Sequence, residues 1–250
     1  MCIFARKIMM TNIAVILAGG VGTRVGGNIP KQFMPLQDGR TVLECCVDAF
    51  EQCPLIGRII IVSHADYVSM VQESMLRQGW QKVTDIVLGG KERWESSWNA
   101  IQHLVSDEYW MSIGCNVLFH DCARPFVSQQ ILANVCQALE RYEAVSVAVP
   151  ATDTMYQVEQ GARNKEQGQS ISSCVQLLDI PARATMWRAQ TPQAFRLDLI
   201  RQAYEKALAQ SEVIATDDCG IVHTFMPATP IYIVQGEEKN KKITFPEDLL

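Results

Sequence analysis

"IAVILAGGVGTRVGGNIPKQF" spans residues 13–33. Six apolar residues run into five glycines within nine positions, and Pro30, Lys31 and Gln32 follow. An apolar run this short, ended this abruptly, reads as a buried strand feeding a turn. Glycines without a Cβ let backbone N–H groups approach anionic oxygens, and Arg24 and Lys31 add charge to the same loop. The stretch therefore reads as a strand followed by a polyphosphate cradle. It is not the dinucleotide fingerprint, because Gly20 and Gly22 are followed by Val25 where the third glycine belongs. It is not the Walker loop either, because Asn28 follows Gly27 and Lys31 comes too late.

The rest of the chain alternates in the same way. Short β-branched runs at 58–63, 82–88, 116–121, 144–151 and 231–236 are separated by helix-period segments at 41–50, 65–79, 92–105, 128–141 and 196–210. Strands alternating with helices of this length predict a Rossmann-like, doubly wound α/β fold with a mostly parallel sheet. Ligands then bind beyond the carboxyl ends of the strands. Thr41, with Glu44 three residues on, predicts a capping box at the first helix. Residues 152–188 break the alternation with a polar, glycine-containing middle between two extended stretches, and predict a projecting β-hairpin arm on a single domain of residues 1–250.

Composition narrows the function. Of the 250 residues 48% are hydrophobic and 20% charged, the balance of an ordinary globular protein, and the net charge of −5 argues against nucleic acid as the main partner. Nine cysteines, an odd number without a C-x-x-C pair, suit reduced cytoplasmic thiols better than a disulfide framework. No apolar run is long enough for a membrane span, and residues 1–10 read as a loose extension.

These residues resemble a known family, the cytidylyltransferases of phosphorylated sugar alcohols. These are the 2-C-methyl-D-erythritol 4-phosphate and ribitol-5-phosphate cytidylyltransferases. Beyond the glycine loop the resemblance continues, in family order, through "GGKERWES" (89–96), "HDCARPF" (120–126), "PATDTM" (150–155), "AQTPQAF" (189–195), "TDD" (216–218) and "NKKITFPEDL" (240–249). It implies transfer of CMP from CTP to a polyol phosphate with release of pyrophosphate, assisted by Mg²⁺, in a homodimer joined through the arm.

The resemblance also implies roles. Arg24 and Lys31 stabilise the transition state at the CTP phosphates, and Arg183 and Lys242 grip the incoming polyol phosphate. Ala18, Gly19, Gly20, Gly22, Thr23, Gly90, Ser96, Asp121 and Cys122 bind the nucleotide. Arg124, Thr154, Thr191 and Thr216 serve the second substrate, and Asp121 stands nearest the metal. Arg183 lies in the arm, so one subunit is expected to complete the other's site. Asp217 and Asp218 are read as helix N-terminal carboxylates. Three departures stand out: Cys122 where the family often has Ala, Lys241 where an apolar residue is usual, and extra polar residues at 160–170. The family usually continues past "PEDLL" into a helix.

The alternatives are a non-catalytic nucleotide-binding regulator, which should have lost one of the four cations, and a nicotinamide oxidoreductase, which Val25 opposes. Between acceptors, "LAGG" and "DIPAR" with Met186 tilt the reading slightly to ribitol 5-phosphate over 2-C-methyl-D-erythritol 4-phosphate. One methyl branch is worth only about 1–3 kcal/mol to a pocket.

Overall fold

Thr11–Ala18 forms β1, and its residues are buried on both sides: Ala14, Ile16 and Ala18 face one core, Ile13 and Val15 the other. The computed structural model describes residues 10–20, 29–159, 175–210 and 217–249. Around β1 a seven-stranded sheet assembles in the order β3, β2, β1, β4, β8, β5, β9. Its members are β2 (Arg58–Ser63), β3 (Val83–Leu88), β4 (Cys115–Asp121), β5 (Ala144–Pro150), β8 (Trp187–Arg196) and β9 (Tyr232–Gln235). All pairings are parallel except those of β8, which runs antiparallel to β4 and to β5.

Helices cover both faces, as continuous apolar strands require. On one side α1 (Val42–Glu51), α2 (Val68–Gln78) and α5 (Gln129–Leu139) bury Val47, Val71 and Leu132. On the other α3 (Arg93–Val105), α6 (Leu197–Leu208) and α7 (Asp218–Phe225) bury Ile101, Ala203 and Ile221. The capping box forms as its spacing predicts: Glu44 N–H donates to Thr41 Oγ1 at 3.2 Å, and Thr41 N–H donates to Glu44 Oε2 at 2.7 Å. Burial opposes the Glu44 charge, but these bonds and the Arg77 guanidinium outweigh it and hold the carboxyl down to about 2.

Two elements lie outside the alternation read from the sequence. The short α4 (Glu108–Ile113) starts at Asp107, whose side chain caps Tyr109 N–H. More consequential is β8, because it begins at Trp187, inside the expected arm of 152–188, and the polar "WRAQTPQAFR" becomes a central strand. Gln190, Thr191 and Gln193 tolerate burial there because each finds a hydrogen-bond partner distant in sequence. The arm is present as a two-stranded hairpin in which β6 (Gln157–Val158) pairs antiparallel with β7 (Leu177–Asp179). Its tip lies outside the described residues.

Candidate active site

The chain leaves β1 toward β2 on one side, while β4 lies on the other side of β1. A crevice therefore opens beyond the carboxyl ends of β1 and β4. It forms a cleft of about 320 Å³. Ala18, Gly19 and Gly20 line it from β1, Asp121 and Cys122 from β4, Gly90 and Ser96 from the start of α3, and Lys31 and Lys242 from two loops. A larger cavity of about 520 Å³ lies at the opposite, amino-terminal end of the strands. Its Arg196 is spent on the Leu139 carbonyl, and no glycine lines it.

Residues far apart in sequence are held together by a few long-range bonds. Gln32 Nε2 donates to the carbonyls of Ala18 and Gly20 at 2.8 and 2.9 Å, which ties the glycine turn to the Lys31 loop. Lys31 Nζ donates to the Ile243 carbonyl at 3.0 Å, and Ile243 N–H donates to the Ala123 carbonyl at 2.8 Å. The late basic segment is thereby pinned to the end of β4, which is why Lys242 reaches Asp121. At α3, Gly90 N–H donates to Ser96 Oγ at 3.1 Å, and a Cβ at Gly90 would collide with Glu95. Glycine is required there by close approach.

The electrostatic centre is a chain of charges. Lys242 Nζ donates to Asp121 Oδ2 at 2.8 Å, and Arg93 Nε donates to Asp121 Oδ1 at 3.1 Å. Arg93 also donates to Asp218 Oδ2 at 2.8 Å, and the Tyr204 hydroxyl donates to Asp218 Oδ1 at 2.6 Å. Burial alone would raise the Asp121 carboxyl, but Arg93 and Lys242 outweigh it and hold it well below the usual carboxylate range. Burial likewise disfavours the Arg93 charge, and Asp218 and Asp121 more than restore it. The cleft thus holds a fixed anion between two cations, one of which, Lys242, is half exposed.

Beneath this layer a second set of bonds fixes the β4 end. Asp121 N–H donates to Thr191 Oγ1 at 3.1 Å, and the Thr191 hydroxyl bonds His120 Nδ1 at 3.0 Å. His120 Nε2 bonds the Arg124 carbonyl at 3.0 Å. Since a carbonyl only accepts, the proton is on Nε2 and Nδ1 accepts from Thr191. Burial pushes the imidazole down to about 4, so it is neutral near pH 7.

Several expected site residues sit elsewhere. Thr191 is buried below the cleft instead of lining it, and Cys122 borders the cleft while packed, buried, in the core. Arg124 clasps the Asn240 and Ala189 carbonyls, at 2.9 and 3.3 Å, and holds the loop before Lys242. Thr154 is exposed at the arm base, and Arg183 NH1 bonds the Thr152 carbonyl at 3.3 Å, so neither lines the cleft of its own chain. Gly22, Thr23, Arg24 and Thr216 lie outside the described residues. Asp217 does cap α7 as read, accepting from Gly220 N–H at 2.8 Å, whereas Asp218 turns inward to Arg93. Sequence reasoning passed over Arg93 and Gln32. The signal for Arg93 was its place three residues before Ser96, on the same face of α3.

Comparison with known proteins agrees with this geometry. Residues 12–250 match the family described as "IspD: 2-C-methyl-D-erythritol 4-phosphate cytidylyltransferase". The chain is 40% identical over 236 residues to the 2-C-methyl-D-erythritol 4-phosphate cytidylyltransferase of Thermobifida fusca, covering 94% of this chain and 89% of that protein. It is 36% identical over 238 residues to the bifunctional ribulose 5-phosphate reductase/CDP-ribitol pyrophosphorylase Bcs1 of Haemophilus influenzae, covering 95% of this chain but 46% of that one. Among solved structures it resembles the 4-diphosphocytidyl-2C-methyl-D-erythritol synthase of Anaerococcus prevotii, with a TM-score of 0.78 and 27% identity over 96% of this chain and 93% of the other.

Proposed function

The chain belongs to the IspD family of 2-C-methyl-D-erythritol 4-phosphate cytidylyltransferases, and from that premise we propose that it transfers CMP from CTP to 2-C-methyl-D-erythritol 4-phosphate. Membership makes it a CTP-dependent nucleotidyltransferase. The observation that carries the site is the Lys242–Asp121–Arg93 array beside a glycine-walled cleft at the ends of β1 and β4. The sequence tilts slightly toward ribitol 5-phosphate, whereas the family match and the Thermobifida relative carry the methylerythritol name and favour that alternative; a ribitol activity is named for the bifunctional Haemophilus relative. Acceptor choice is set by the whole pocket, which "LAGG" and "DIPAR" do not describe.

In the proposed reaction an acceptor phosphate oxygen attacks the α-phosphorus of CTP, and pyrophosphate leaves. Both reactants are anions, so the residues chiefly position them and neutralise charge. Lys31 serves the nucleotide phosphates, and Lys242 moves from Asp121 to the acceptor phosphate. Gly90 and Ser96 border the base, and Asp121 accepts from the ribose hydroxyls. Arg24 and Thr216 share in this only through the family resemblance.

The family generally uses a divalent metal. Among the described residues no group of three or more His, Cys, Asp or Glu could hold one, and both Asp121 oxygens already take cations. That donor set fits Mg²⁺ brought in on the triphosphate oxygens, not one seated in a cage of protein carboxylates. When bound, the ion neutralises charge on the departing pyrophosphate.

The arm supports a homodimer. Tyr156, Leu177, Leu178 and Ile180 are exposed on a hairpin too small to be stable alone, so a second copy is the surface that covers them and receives Arg183. The paired substitution Leu177→Asp and Leu178→Asp should shift sedimentation toward monomer and raise KM for the acceptor together. Dissociation at unchanged acceptor KM would separate arm from site. No helix among the described residues is long and apolar enough to cross a membrane, and the described cysteines are free thiols; both suit a cytoplasmic enzyme.

The test is pyrophosphate release with Mg²⁺, each nucleotide and a panel of polyol phosphates. CTP with 2-C-methyl-D-erythritol 4-phosphate should exceed ribitol 5-phosphate by about tenfold or more. Equal release from all four nucleotides would remove the cytidylyl assignment.

A further inference from the structure

The cleft opens on its outer side into a second chamber of about 700 Å³. The two share Gly19, Gly20, Gly90 and Lys91, so a ligand laid across those backbones enters both. The inner chamber holds Lys31, Lys242 and Arg93, whereas the outer one is walled by glycine backbone, the exposed side chain of Leu88, and His64. Its carboxylate, Glu95, is already committed, accepting from the N–H groups of Lys91 and Glu92 at 2.5 and 3.0 Å. Charge for phosphates therefore gathers inside, and a flat, partly apolar space remains outside.

His64 follows β2 and caps the 3-10 turn Ala65–Tyr67, where Asp66 N–H donates to its Nδ1 at 3.3 Å. Where Nδ1 accepts from this N–H the neutral ring carries its proton on Nε2, and the Asp66 carboxylate oxygen Oδ2 also stands 3.5 Å from Nδ1. His64 thus brings one N–H donor to the chamber wall, on a side chain 40% exposed. A Cβ placed on Gly19 would lie 3.6 Å from Ser96 Oγ and 3.9 Å from the His64 amide nitrogen, so Ser96 and His64 border the same space.

We propose that His64 is a nucleobase-binding residue whose Nε2–H donates to the acceptor edge, O2 and N3, of the cytosine of CTP as it lies against Leu88. This rests on the CTP-dependent reading above. Uracil presents a donor at N3, so the contact also favours CTP over UTP.

Two variants separate this contact from the capping role. His64→Asn keeps an oxygen able to cap Asp66 N–H and removes the Nε2 donor; His64→Gln places an amide donor near the Nε2 position. In His64→Asn, Kd by calorimetry and KM for CTP should rise about fivefold, the size of one lost hydrogen bond. Its kcat, acceptor KM and Tm should hold, and His64→Gln should stay within about twofold of wild type. The assignment fails if His64→Asn binds CTP within about twofold of wild type, or if both variants lose CTP affinity equally and melt lower together. A wild-type chain that binds CTP without releasing pyrophosphate overturns the transferase reading alone, since the Kd comparison still judges His64. A chain that binds no CTP overturns both.

Discussion

Lys31→Ala is expected to lower kcat for pyrophosphate release by about 10²–10³-fold, the loss typical of removing one preorganised group that stabilises transition-state charge. Lys31 begins a 3-10 turn, Lys31–Phe33, whose next residue, Gln32, is buried and bonded to the Ala18 and Gly20 carbonyls. The backbone that carries the ammonium is therefore fixed without the ammonium. The side chain itself is partly exposed and donates to the Ile243 carbonyl. Truncation should leave the protein melting within about 2 °C of wild type, as for other surface changes in a chain of this size. The effect should fall on kcat more than on KM for CTP, because charge on the transferring phosphate peaks in the transition state. Steady-state kinetics with a parallel thermal melt decides it, and an unchanged kcat takes Lys31 out of the mechanism.

Asp218→Ala should destabilise the fold by about 3–5 kcal/mol, the cost of removing one partner from a buried ion pair. Asp218 is fully buried and accepts from both the Arg93 guanidinium and the Tyr204 hydroxyl. Without it Arg93 keeps only Asp121, although one of its terminal nitrogens, NH2, already lacks a partner among the described residues. The Tyr204 hydroxyl is orphaned as well. In a chain of 250 residues this corresponds to a fall in Tm of roughly 10 °C. Asp218→Asn, which retains an acceptor, should lose less. Arg93→Ala combined with Asp218→Ala should lose less than the sum of the two single changes, because the second removes a charge that the first has stranded. A single Asp218→Ala variant melting within about 2 °C of wild type would show that the pair contributes little.

Much of this architecture is local information. The β-branched runs at 58–63 and 116–121 became strands because they can be buried on both faces, and the Thr41–Glu44 spacing formed its capping box because both bonds lie within one turn. The glycine turn at Gly19 and Gly20 and the nearby Lys31 could be read from the strand that ends there, whereas Gly90, Ser96 and Asp121 were named through the family resemblance, and all of them line the cleft. The β8 strand was not legible. Its Gln190, Thr191 and Gln193 carry no strand signal, and they become interior only because Asn240, His120 and Asp217 satisfy them from 24 to 71 positions away.

By itself, then, the sequence determined the strand–helix alternation, the glycine turn and the residue types of a phosphate-handling cleft, since these follow from period, burial and backbone freedom within a few residues. Only the tertiary structure decided that β4 lies beside β1, that Arg93 meets Asp218 across 125 positions and Asp121 across 28, and that Lys242 reaches Asp121 across 121. Such pairings are chosen by chain topology and by the cost of leaving buried charge unpaired, and neither quantity is carried by any local stretch of residues.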